Sequence, residues 1–98
     1  MHENLIITYK NNKFYLSGEV NFNNVMPVYK NGILQFNHQE KIDLDFSELK
    51  NSDSSAIALI VEWMKWARAN NKSIKFHHLS SELLAIVKAA GMDHLILQ

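Results

Sequence analysis

Ninety-eight residues, 47% of them apolar and 10% aromatic, are enough for one hydrophobic core and too few for two. Ten basic side chains cancel ten acidic ones without a run of like charge, so the basic footprint of a nucleic-acid binder is missing. No cysteine is present, which excludes a disulfide framework and thiolate chemistry and fits a reducing compartment. Met1-His2-Glu3-Asn4 lacks the basic start and apolar stretch of a secretory signal. The longest apolar run, Ala56 to Val61, falls far short of the roughly 20 residues that cross a bilayer. The expectation is a cytoplasmic protein with no direct membrane insertion.

Leu5-Ile6-Ile7-Thr8-Tyr9 and Phe14-Tyr15-Leu16-Ser17-Gly18-Glu19-Val20 are β-branched and aromatic, with Asn11-Asn12 between them as turn chemistry, so a hairpin is predicted. Asn23 or Asn24 can cap a helix through Val25, Met26, Val28, Tyr29, Ile33, Leu34 and Phe36. Pro27 falls in its first turn, where a missing N–H does no harm, and Gly32 weakens its middle. Ile42, Leu44 and Phe46 predict a third strand, with Asp43 and Asp45 on its other side or at its end.

A short loop then leads to a second helix from about Ser54 to Asn70, an Asn-Asn-Lys turn and a fourth strand, Ser73 to His77. Ser80 or Ser81 caps a third helix through Leu83, Leu84, Ile86, Val87 and Ala90, which Gly91 closes in a left-handed conformation with Met92 supplying the accompanying contact. Leu95-Ile96-Leu97 is expected to pack as a tail on the core. Two strands followed by alternating helices and strands predict an α/β (α+β) domain spanning residues 1–98, a mixed four- to five-stranded sheet with helices mainly on one face.

Asp53, Ser54 and Ser55 stand at the mouth of the second helix. All three are capping residues, and exposed hydroxyls and N–H groups at a helix start can also meet a partner's polar groups or carry a phosphate. At about 100° per residue, Ile57, Ile60, Met64 and Ala67 form a core face, while Leu59, Trp63 and Trp66 fall on an adjoining flank. That flank is wider than a half-buried helix needs, so it is expected to be covered by the third helix or the tail, or to meet a partner through its tryptophans. His77-His78 has no second pair and no helical spacing, so no metal site is expected. Neither a Gly-x-Ser-x-Gly elbow nor a phosphate-cradling glycine loop occurs, so no catalytic residue and no cofactor is assigned.

The strand, loop, Asp-Ser-Ser and helix succession resembles the STAS domains (sulphate transporter and anti-sigma antagonist), a SpoIIAA-like fold. Gly18-Glu19-Val20-Asn21-Phe22, Leu44-Asp45-Phe46-Ser47, Ala58-Leu59, Glu62-Trp63-Met64-Lys65-Trp66-Ala67-Arg68, Leu83-Leu84-Ala85-Ile86 and Gly91-Met92-Asp93 are similar to the MlaB branch, over about Gly18 to Leu97. That resemblance implies a non-enzymatic cytoplasmic subunit of the Mla phospholipid ABC transporter, which maintains outer-membrane lipid asymmetry. Such a subunit binds the ATPase subunit, MlaF, and through it is peripheral to the inner membrane and its permease. Ser54 stands where this branch carries a threonine or serine that contacts the ATPase, and Ser55 where anti-sigma factor antagonists carry their phosphorylated serine. Ser55, and secondarily Ser54, is therefore the candidate phosphorylation site of the alternative reading, an anti-sigma factor antagonist. Ala56 departs from the glycine common to both branches.

Overall fold

The computed structural model describes residues 6–52 and 54–91. Strands β1 (Ile6–Lys10) and β2 (Lys13–Val20) form the expected antiparallel hairpin, with Tyr9 opposite Phe14 and Lys10 opposite Lys13. Asn11 and Asn12 both take positive φ, 53° and 63°, which two-residue hairpin turns demand and asparagine tolerates.

Helix α1 (Val25–Phe36) follows, then β3 (Lys41–Asp45), β4 (Leu49–Ser52), α2 (Ser55–Ala69), β5 (Ser73–His77) and α3 (Ser81–Ala89). Strand β4 lies in the segment expected to be a loop; only four residues long, it has no period to read. The sheet runs β1-β2-β3-β5, with β4 also paired to β2. Strand β2 serves two parallel neighbours: Phe14 and Tyr15 pair with Leu44 and Asp45 of β3, whereas Gly18 to Val20 pair with β4. The register shifts between Gly18 and Glu19, and Gly18 sits at φ 104°, which lets the strand kink between partners.

Leu16, Leu44, Ile42, Phe14 and Phe76 bury the inner side of the sheet against Phe36 of α1, Leu59, Ile60 and Trp63 of α2, and Leu83 and Val87 of α3. Helix α2 is central, packing on both α1 and α3. This explains why its buried set is Ser55, Ala56, Leu59, Ile60, Trp63 and Ala67, while Ile57 and Met64 are only half-buried. A helix flanked on both sides needs a broad apolar arc.

Helix α2 closes with Lys72 N–H on the Ala67 carbonyl (2.8 Å) and Asn71 N–H on that of Arg68 (3.3 Å), Asn71 taking φ 57°. This is the double hydrogen bond of a left-handed helix stop. Ser80 caps α3 by accepting the Leu83 N–H at 3.1 Å, and Gly91 takes φ 71° as expected. The contact assigned to Met92 and the tail Leu95-Ile96-Leu97 lie outside the described residues.

Candidate functional site

Asp53 lies outside the described residues. Ser54 directly precedes α2 and is exposed, and its hydroxyl makes no capping bond. Its backbone explains why: φ −61° and ψ −15° are already helical, whereas a serine cap needs the extended conformation that Ser80 adopts at ψ 159°. The expected capping role is therefore not filled by this side chain, although the Ser54 carbonyl still accepts the Ile57 N–H at 3.1 Å. Ser55, one residue on, is only 3% exposed.

Leu59 and Trp63 correct the expectation of an apolar flank open to a partner. Both are buried in the core, and α1 covers Trp63. The indole lies against Gly32, where an added Cβ would come within 2.5 Å of Cζ2; its N–H donates to the Tyr29 carbonyl at 3.2 Å, and its ring meets Phe36 edge-on at 5.2 Å. Trp66 is half-buried against Phe36, with the Lys72 ammonium 5.9 Å from its ring centre. It lies twelve residues beyond Ser54, about 18 Å along the helix, and so belongs to a different part of the surface.

Ser54 instead heads a stripe of exposed residues at helical spacing, Ser54, Ala58 and Glu62. Ala58, Leu59 and Glu62 form one wall of an apolar groove of about 380 Å³ whose other wall is Val25, Met26 and Tyr29 of α1. Leu59 lines it while remaining buried. Residues of α1 were not singled out from the sequence because their periodicity reads as core. The signal was there in Met26, which falls on the outer side of the helix and is exposed. A hydroxyl free of capping at one end and an apolar trough beyond it make a surface suited to a protein segment.

A second recess, of about 220 Å³, lies between Phe46, Leu49, Lys50 and the start of α3. It carries one lysine and one glutamate, Glu82, and Ser80 has already taken the Leu83 N–H, so it is poorly suited to an anion.

On the opposite side of the sheet, His77 Nε2 is 2.8 Å from Asp43 Oδ1, and His78 Nδ1 is 2.8 Å from Asp45 Oδ2. Asp45 is 3% exposed, yet Oδ1 accepts the Ser47 N–H at 2.8 Å, and the Lys13 ammonium stands 3.8 Å from Oδ2. Burial pushes its pKa up, but the hydrogen bonds from Ser47 and the His78 imidazole outweigh that and hold the carboxyl below the usual range. The two histidines thus tie β5 and the loop after it to β3. Among the described residues, no group of three or more His, Cys, Asp or Glu is placed to hold a metal ion, and no helix is long and apolar enough to cross a membrane.

No curated protein matches the chain in sequence. The fold is similar to that of the anti-sigma factor antagonist SpoIIAA in its unphosphorylated form, with a TM-score of 0.70 over 91% of this chain and 82% of that one. Their sequences are 16% identical, a likeness that carries the fold alone. The family model described as "Mlab, STAS domain" matches residues 9–98, nearly the whole length, and the chain belongs to that family.

Proposed function

We propose that this chain is the STAS subunit of an Mla-type phospholipid ABC transporter, docking on its MlaF-like ATPase subunit and supporting that subunit's assembly and activity. The observation that carries this reading is the surface itself: an exposed Ser54 hydroxyl without a capping bond, four residues before Ala58 in the lining of the apolar groove between α1 and α2. Membership of the MlaB-type family supports the choice of partner. The protein works without catalysis, cofactor or metal, reaches the cytoplasmic face of the inner membrane through the transporter, and contributes to outer-membrane lipid asymmetry.

Burial of Ser55 weighs against the alternative of an antagonist phosphorylated there, because a kinase must reach the hydroxyl it modifies. Affinity purification of the tagged chain from its own cells separates the readings. Docking requires an ABC ATPase and its permease to co-purify; recovery of a kinase-like anti-sigma factor instead would overturn it.

A further inference from the structure

We infer that the groove between α1 and α2 receives a basic side chain of the ATPase subunit, with Glu62 as the residue that sets its specificity, an inference that rests on the docking reading above. The groove is lined by Val25, Met26, Tyr29, Ala58, Leu59 and Glu62. Among the described residues Glu62 is the one charged member of that lining. A wholly apolar occupant would have to bury this carboxylate unpaired, a desolvation cost that offsets the apolar contact it gains. An acidic occupant would be repelled.

A lysine or arginine fits each part of the lining. Its methylene stem matches Val25, Met26, Ala58 and Leu59, because long basic side chains lay their stems on apolar surface and keep the charged head apart. Tyr29 and Glu62 stand on opposite walls. A carboxylate and an aromatic ring both attract a cation, the first by charge and hydrogen bonding, the second through its ring face. Arginine suits the pair better than lysine, since its planar fork can bond a carboxylate twice and stack on a ring.

On the free protein Glu62 is only loosely engaged. The Lys65 ammonium stands 3.7 Å away, but the two side chains are 51% and 69% exposed, and Lys65 is not part of the lining. A surface pair of this kind is weak and screened by salt, so a partner's cation can displace it. Tyr29 is anchored by its backbone, whose carbonyl takes the indole N–H of buried Trp63 at 3.2 Å. The wall bearing the ring is thus in place before the partner arrives, which lowers the ordering cost of association.

The test measures the affinity of the purified ATPase subunit of the same cell's transporter for the parent, Glu62→Gln, Lys65→Gln and Ser54→Glu chains at low and high salt, with a melting curve for each. Glu62→Gln is expected to weaken binding about ten-fold at low salt and to flatten its salt dependence, with the melting temperature unchanged. Lys65→Gln, which removes the competing ammonium, is expected to bind at least as tightly as the parent. Glu62→Gln binding like the parent while Ser54→Glu fails would overturn the inference and leave the docking reading standing. Tighter binding by Glu62→Gln would show a wholly apolar occupant, and a dimer of this chain that Glu62→Gln dissolves would show a second copy; either overturns it. So would equal losses for Glu62→Gln and Lys65→Gln, or a fall in melting temperature that matches the loss of binding. A parent that does not bind the ATPase removes both readings.

Discussion

Gly32→Ala isolates the contact that sets the angle between α1 and α2. On helix propensity alone the change should stabilise α1 by about 1 kcal/mol. The structure gives the opposite sign. The new Cβ would lie 2.5 Å from Trp63 Cζ2, 2.8 Å from Cε2 and 2.9 Å from Nε1, about an ångström too close along one edge of a rigid ring. The indole has no free direction, being fully buried, bonded to the Tyr29 carbonyl and edge-on to Phe36. Overpacking of this kind costs about 1–3 kcal/mol, and if the ring gives way its buried N–H loses a hydrogen bond at a further 1–3 kcal/mol or so. Net of propensity the expected loss, with the hydrogen bond gone, is about 1–5 kcal/mol, or about 4 °C and upwards in melting temperature for a domain of this size. Urea and thermal unfolding followed by circular dichroism would measure it, and Gly32→Ala combined with Trp63→Phe should lose less than the two single losses added together. An alanine variant as stable as the parent would refute the reasoning, because propensity would then have prevailed over the clash.

Ser54→Glu should keep the parent's melting temperature, since the side chain is exposed and caps nothing, yet abolish ATPase binding in a pull-down, whereas Ser54→Thr keeps the hydroxyl and should bind. Trp63→Ala should cost about 3–5 kcal/mol and Trp66→Ala clearly less, measured by urea unfolding, because the first ring is fully buried and the second only half. Asp45→Asn removes a carboxylate whose pKa is lowered in the folded state, so its stabilisation is present above the unfolded value near 3.9 and is lost as pH falls through the folded value. The variant should therefore melt below the parent at pH 7, by about 2 kcal/mol in stability, and the gap should close in scans carried below about pH 4.

The hairpin, the three helices, the third strand and the Ser80 cap were legible in the sequence because each is written in local chemistry: two turn asparagines, an apolar period, a serine in front of an amphipathic run. Strand β4 was not legible, because Leu49-Lys50-Asn51-Ser52 pairs with the far half of β2, and only the kink at Gly18 opens that half to it. The position of the loop bearing Ser54 was likewise legible, but not which hydroxyl is exposed. Three adjacent capping residues look alike until the backbone at Ser54 turns out to be helical already, which leaves its side chain outside the helix and carries Ser55 into the core.

The assignment of Leu59 and Trp63 to an open flank failed for a reason that reaches the candidate site itself. A helical projection ranks faces by apolarity, but the width of the buried arc depends on how many neighbours the helix has, and α2 has one on each side. Trp63 can turn inward only because Gly32, read in isolation as a weak point of α1, leaves room for an indole at the crossing. Once the large ring is accommodated there, the residues left at the α1 and α2 rims include Met26, Tyr29, Ala58 and Glu62, and these frame the groove. The glycine therefore acts on the surface at one remove. A side chain at position 32 would force the helices apart or the indole outward, and either movement would reshape the groove that the proposed partner must fit, so Gly32→Ala is expected to weaken ATPase binding as well as stability even though the residue is itself buried and out of the partner's reach.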